Sequence, residues 1–212
     1  MMLLEVESRH TPNAPSKMQK LTLLVASGAF FSTVLAGFGA VIHNESLSGD
    51  LSGVFSNPTL LSLTPGANTI VAQTGSNGNT GATNGSDADY FTITLAPGTS
   101  LASMTVDSYI FSPSNPGVSF AGYVGAAAFT GQGGGDIAGS AFFNASSNNI
   151  LDDFTGGTTP LGQGVYSFWF QETSANRVDY QLTLNVVPEP STALLCLSGA
   201  WLLLAGRRCR DS

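Results

Sequence analysis

The chain is 212 residues long, and only 10% of its residues are charged. Its seven Lys and Arg residues are outnumbered by fourteen Asp and Glu residues, which gives a formal net charge of −7 at pH 7. Nucleic-acid-binding proteins draw much of their affinity from basic side chains on phosphates, so this balance excludes a nucleic-acid partner.

Residues 18–36 have the pattern of a secretory signal peptide. A short basic start over residues 18–20 precedes an apolar run over residues 21–35. Small or aliphatic residues suit cleavage after Ala36, with cleavage as late as Ala40 as the alternative. The pattern predicts export through the Sec machinery.

An uncleaved N-terminal membrane helix over residues 21–42 is the alternative to a cleaved signal peptide. Residues 1–17 belong to neither, because they hold charged residues and two prolines. A natural signal peptide would begin at Met18, so we interpret residues 1–17 as an extension upstream of the true start.

The region between the two ends, residues 37–187, has the length of one domain. It holds ten carboxylates and a single basic residue, Arg177, for a formal net charge of −9. Both cysteines, Cys196 and Cys209, lie outside it, which excludes a disulfide, a thiolate nucleophile or a cysteine zinc site there. Its only histidine, His43, is expected in a flexible N-terminal segment, and without Lys or Cys the usual nucleophilic arrangements lack parts. We therefore predict that the protein is not an enzyme.

Apolar and polar residues alternate along this region, which is the period of a half-buried strand. The clearest strands are predicted over residues 89–95 and 177–187. Nearly every gap between strands carries Gly, Pro or Asn, and no segment of ten or more residues has a capped amphipathic helical pattern. The pattern predicts an all-β fold, an antiparallel β-sandwich of the jelly-roll type. Further strands are predicted over residues 46–55, 59–63, 68–73, 101–111, 118–129, 137–144 and 164–172.

Three segments of this region resemble the bacterial pre-peptidase C-terminal domain. They are GSDADYFTITLAPG at residues 85–98, GVYSFWFQ at residues 164–171 and VDYQLTL at residues 178–184. The resemblance covers residues 45–186, with a longer and more Gly-rich middle than is usual in that family. It implies a non-catalytic β-sandwich module of secreted proteins, a family in which some members bind polysaccharide or protein polymers.

Residues 74–89 form a polar tract that is longer than a normal connection between strands. Asp87, Asp89 and Asn84 offer hard oxygen ligands of the kind that Ca²⁺ takes, so the tract is a candidate calcium site. It lacks the spacing and the terminal Glu of an EF-hand, and the alternative is a flexible solvated loop with Asn-Gly turns. The acidic pair at residues 152–153 is a weaker case, with the polar lip of a turn as the alternative.

The strand predicted over residues 164–172 is rich in aromatic residues. If Tyr166, Phe168 and Phe170 are buried, period two turns Trp169 and Gln171 to the other face. There Trp169 would offer a stacking platform for a sugar ring and Gln171 an amide for its hydroxyls. The alternative is that Trp169 is buried in a second layer or covered by a loop.

The last 25 residues, 188–212, have three parts in a fixed order. These are the motif Pro188, Glu189 and Pro190, an uncharged helix-length run over residues 191–206, and a basic end at residues 207–210 with Arg207, Arg208 and Arg210. At 1.5 Å per residue the run spans roughly 24 Å, which is less than the ~30 Å of a bilayer core. Such a marginal membrane helix, with arginines where the chain would stop in the cytoplasm, suits a temporary stop.

This order and spacing resemble the PEP-CTERM sorting signal of bacterial exported proteins. The resemblance implies an exosortase, a membrane-embedded enzyme of the Cys-peptidase type, as a partner. It also implies a pause as an inner-membrane intermediate, removal of the tail, and delivery to the cell surface or to the extracellular matrix of a biofilm. The alternative is a generic C-terminal membrane anchor.

Taken together, these patterns predict an exported bacterial cell-surface or matrix protein with a structural or adhesive role. The competing hypothesis is a surface carbohydrate-binding module that the same signal delivers, with extracellular polysaccharide as its partner.

Overall fold

The structure is a computed structural model that describes residues 39–75, 87–113, 117–174 and 176–189. All the described residues belong to one compact unit. The predicted signal peptide, the upstream extension, the sorting helix and Arg207, Arg208 and Arg210 therefore lie outside the described residues. Within the described ranges, the chain forms no helix that is long and apolar enough to cross a membrane.

Strands dominate the described residues, with two short helices between them. In chain order they are β1 (Ala40–Asn44), α1 (Glu45–Ser48), β2 (Thr59–Leu61), β3 (Gly66–Gly75), β4 (Ala88–Leu95), β5 (Thr99–Ser112), β6 (Ser119–Val124), β7 (Gly139–Phe143), α2 (Ile150–Thr155), β8 (Gly164–Gln171) and β9 (Arg177–Pro188). The predicted all-β class is confirmed.

The strands form a four-stranded sheet in the order β1-β3-β9-β5 and a five-stranded sheet in the order β2-β4-β8-β6-β7. Most neighbours are antiparallel, but β1 runs parallel to β3 and β2 runs parallel to β4. The expectation of purely antiparallel sheets is therefore wrong at these two edges. Parallel neighbours need a crossover, and the chain supplies one each time by placing the intervening strand in the opposite sheet.

The two sheets share one hydrophobic core between their inner faces. Every second residue of β9 from Val178 to Val186 is buried, as the alternation predicted. Phe91 on β4 and Phe170 on β8 meet these residues from the other sheet, where the Phe170 and Tyr180 rings stack with centroids 5.6 Å apart. The aromatic strand β8 thus contributes Phe168 and Phe170 to this core, with Tyr166 partly buried against it.

Three elements differ from the predicted strands. The strand expected over residues 46–55 is replaced by α1, because Asn44 caps this turn by accepting a hydrogen bond from the Ser46 N–H at 3.1 Å. Helix α2 and strand β1 were not predicted, since six and five residues are too few to show a period. The flexible location expected for His43 is also wrong, because His43 lies on β1 and is only 6% exposed.

Candidate functional site

An acidic cluster lies where the segment after β1 meets the start of β4. Glu45 on α1, Asp50 in the following loop and Asp89 on β4 each place one carboxylate oxygen within 4.8 Å of the other two. Hydrogen bonds fix Glu45, whose Oε2 accepts from the Gln73 N–H at 2.6 Å and whose Oε1 accepts from the Leu51 N–H at 3.3 Å. The cluster is therefore held by the backbone of two separate elements.

Asp89 is the buried member of the cluster, with an exposed fraction of 0%. Its Oδ2 accepts a hydrogen bond of 2.7 Å from the Tyr180 hydroxyl, which reaches across the core from β9. Its Oδ1 is also buried and receives no hydrogen bond within the described part of the chain. A buried carboxylate with one unsatisfied oxygen lowers the stability of the fold, because that oxygen has lost its hydrogen bonds to water and gained none in return.

Burial is the main influence on the charge of this cluster. It raises the pKa of Glu45 to about 8, an effect to which Asp50 and Asp87 add and which the two backbone N–H donors oppose. Burial raises the pKa of Asp89 well above its usual range, again with help from neighbouring carboxylates. Burial also raises the pKa of Asp50, although this side chain reaches solvent.

The cluster contains part of the predicted calcium tract. Asp89 belongs to both the tract and the cluster. Asp87, also in the tract, is buried and close enough to Glu45 and Asp89 to raise their pKa values. Asn84 lies outside the described residues. Glu45 and Asp50 were not predicted, because about 40 residues separate them from Asp89 and no motif connects the two segments.

The acidic pair at residues 152–153 has a local structural role. Asp152 lies on α2, where its Oδ2 accepts from the Asn149 side-chain amide at 2.9 Å and its Oδ1 from the Thr159 hydroxyl at 2.6 Å. These hydrogen bonds agree with the alternative interpretation, the polar lip of a turn.

Trp169 lies on the outer face of the five-stranded sheet, where it is only 8% exposed. Its indole stacks on Tyr90 at a centroid distance of 5.6 Å and meets Phe120 edge-on at 4.7 Å, with Phe129 on a third side. This placement agrees with the alternative in which a second layer of side chains buries Trp169. An open stacking face on the indole itself is not present.

A groove of about 410 Å³ nevertheless borders this second layer. Trp169 and Gln171, the two residues singled out in the sequence, both line it. Phe142 on the edge strand β7 adds an aromatic ring that is 69% exposed and meets Phe120 at 6.2 Å. The amide of Gln132 and the hydroxyl of Thr173 complete a lining that combines rings with neutral polar groups.

The C-terminal motif begins at the point where the last core strand ends. Pro188 closes β9 opposite Thr99, and the Glu189 N–H donates a 2.8 Å hydrogen bond to the Gly98 carbonyl. Both Pro188 and Glu189 are exposed, whereas Pro190 lies outside the described residues.

The described residues define an all-β protein whose two sheets share one core, with an acidic cluster and an aromatic groove on separate parts of its surface. No model of a known protein family matches this chain, and no curated protein matches it.

Proposed function

We propose that this chain is an exported bacterial protein that is sorted through a PEP-CTERM-type signal and cut by an exosortase. The domain over residues 37–187 then remains at the cell surface or in the extracellular matrix, with a structural or adhesive role that needs no catalytic group. The observation that carries the proposal is the order of Pro188-Glu189-Pro190, an uncharged run and an arginine-rich end.

The end of the fold supports this proposal. The last buried core residue of β9 is Val186, and Pro188 and Glu189 follow it on the exposed side. A protease could therefore remove the tail at the motif without taking away a strand of the core. The apolar run of roughly 24 Å would hold the chain in the membrane only marginally, which suits an intermediate.

We further assign the domain to the jelly-roll type of sandwich, similar to the pre-peptidase C-terminal domain. Successive strands from β1 to β5 alternate between the two sheets, as jelly-roll connections do. The three segments that carry the resemblance become β4, β8 and β9, of which β4 and β8 pair and β9 faces them across the core.

The sorting proposal is tested in the organism from which the chain comes. Mass spectrometry of the C-terminal peptide should find a chain that ends near Pro188 to Pro190 outside the cell. A double variant, Glu189→Ala with Pro190→Ala, should keep the complete tail and remain in the inner membrane. Pro65→Ala, at another exposed turn, is the control and should be processed normally. Processing of the double variant at the normal site and rate would contradict the proposal.

The aromatic groove favours a second candidate function, a carbohydrate-binding module delivered by the same signal. Rings combined with amide and hydroxyl groups suit a neutral sugar, which offers apolar faces for the rings and hydroxyls for the amides. Phe142 would supply the open ring, with Gln171 and Gln132 beside it.

Affinity electrophoresis in gels that contain neutral glucans, mannans or galactans tests this second function. A carbohydrate-binding module should be retarded, and Phe142→Ala should abolish the retardation because it removes the exposed ring. Ile110→Ala, which removes another exposed apolar side chain, from the other sheet, should leave the retardation unchanged. Normal mobility on every polymer would exclude this function and leave the structural role.

A further inference from the structure

The three carboxylates of the acidic cluster are spaced as ligands of one ion. A calcium ion lies about 2.3–2.6 Å from its oxygen ligands, so two of its ligands are at most roughly 5 Å apart. Oxygens of Glu45, Asp50 and Asp89 fall within 4.8 Å of one another. The three oxygens are therefore close enough together to be candidates for ligands of one ion.

A second observation also points to a ligand at this place. Asp89 is completely buried, and its Oδ1 receives no hydrogen bond from any residue that the structure describes. Folded proteins rarely leave a buried carboxylate oxygen unpaired, because removing it from water without a new hydrogen bond or ion costs free energy. An ion beside this oxygen would satisfy it.

Carboxylates outnumber basic side chains around the cluster, which also favours a bound cation. Arg177 is the only Lys or Arg between residues 21 and 206, and its guanidinium pairs with Asp179 at 3.1 Å. The Arg177 guanidinium is thus engaged by Asp179, and the basic side chain that acts on the cluster is His43, which lies near Asp50 and has a pKa lowered by burial. Bound calcium would bring positive charge to carboxylates that otherwise disfavour one another's ionisation.

We propose that Glu45, Asp50 and Asp89 bind a calcium ion, which joins the segment after β1 to β4. Glu45 and Asp50 would hold the ion from the surface side and Asp89 from the core side. A cavity of about 450 Å³ borders Glu45 and Asp50, the two ligands on the surface side. The site stands on these residues alone and does not depend on how the chain is sorted.

The ligand chemistry favours calcium over other common ions. The three ligands are all carboxylate oxygens, which suit a hard cation rather than zinc or copper. Magnesium demands a near-ideal octahedron at about 2.0–2.1 Å, whereas calcium accepts six to eight oxygens in irregular arrangements that loops can supply. Two of the ligands here come from a four-residue helix and the loop after it.

Calorimetry and thermal unfolding of the full chain test the site directly. The protein, in a mild detergent, is stripped with EDTA and titrated with Ca²⁺, and in parallel with Mg²⁺. At a calcium concentration 100 times Kd, the unfolding midpoint should rise by roughly 5–10 °C. Magnesium at the same concentration should give a clearly smaller rise. The absence of a calcium-dependent rise at 10 mM, or an equal rise with magnesium, would overturn the proposal.

Three variants connect the effect to the cluster. Asp50→Asn changes an exposed ligand, so it should fold normally and bind calcium about tenfold more weakly or worse. Asp89→Asn keeps an oxygen for the Tyr180 hydroxyl but loses the charge, and it should abolish the calcium response. Asp153→Asn, the same change at an exposed carboxylate on α2, is the control and should respond like the unmodified chain. Unchanged calcium affinity in Asp50→Asn would refute the site even if Asp89→Asn failed to fold.

Discussion

Raising the pH should destabilise the protein when divalent cations are removed, and Glu45 should dominate the effect. Burial holds the pKa of Glu45 at about 8, above its ordinary value of 4.5. The folded state therefore keeps a proton that the unfolded chain releases, and stability that is complete below pH 4.5 is lost as the pH rises towards 8. Asp89, whose pKa is also raised, acts in the same direction.

The size of this effect follows from the width of the pH window. At about 1.4 kcal/mol per pH unit, an unscreened Glu45 would lose about 5 kcal/mol across it. Glu45 is partly open to solvent, so we reduce this by half or more and expect about 2 kcal/mol, or roughly 4–8 °C in the unfolding midpoint. The pKa of His43 is lowered by burial, so His43 opposes the trend only below its ordinary value of 6.5. The carboxylates that act on Glu45 are Asp50, Asp87 and Asp89, and His43 acts on Asp50.

Thermal unfolding in EDTA at a series of pH values between 5 and 8.5 measures the effect. The midpoint should fall most clearly between pH 6.5 and 8.5, where His43 no longer opposes the trend. Glu45→Gln should flatten the dependence, and Asp153→Asn should preserve it. A midpoint that stays constant or rises between pH 6.5 and 8.5 would refute the electrostatic account of the cluster.

Four substitutions test the packing that positions these sites. Asn68→Ala should lower the free energy of unfolding, measured with urea, by about 3 kcal/mol, because the buried Asn68 amide takes part in five hydrogen bonds at the turn into β3. A loss below about 1 kcal/mol would contradict the importance of these hydrogen bonds. Trp169→Ala should lower the free energy of unfolding by about 3–5 kcal/mol and Phe142→Ala by less than about 1 kcal/mol, because only the Trp169 ring is buried. Equal losses would contradict the burial of Trp169 and the exposure of Phe142 on this face of the sheet. Gly75→Ala should lower the unfolding midpoint markedly, because its φ of +99° disfavours a side chain and the new Cβ would strike the Asn176 carbonyl. An unchanged midpoint in Gly75→Ala would contradict the close approach of β3 to the start of β9.

The period of two identified the strands that build the core. Residues 89–95 and 177–187 were predicted almost to their ends, because one face of β4 and of β9 is buried along its whole length. The edges of the sheets were harder to predict. β1 has five residues, too few for a pattern, whereas β2 lies within the strand predicted over residues 59–63. The parallel pairing of both strands depends on crossovers that no local sequence feature records.

The candidate sites show the same division between local and long-range information. Alternation placed Trp169 and Gln171 on one face of β8, but the side chains from β4, β6 and the loop at Phe129 that bury the indole could not be predicted from β8 itself. Asp89 was singled out as a ligand by its acidic tract. Glu45 and Asp50 reach it only because β1 pairs with β3 and carries α1 to the same end of the core.

We propose that the chain is cut at its C-terminal motif after export. Mass spectrometry of the intact protein and of its C-terminal peptide, on membrane and extracellular fractions of its own host, tests this cleavage. We expect an extracellular chain that ends near Pro188-Glu189-Pro190 and lacks residues 191–212. A full-length C terminus retained in the inner membrane would contradict it and identify the tail as an ordinary anchor.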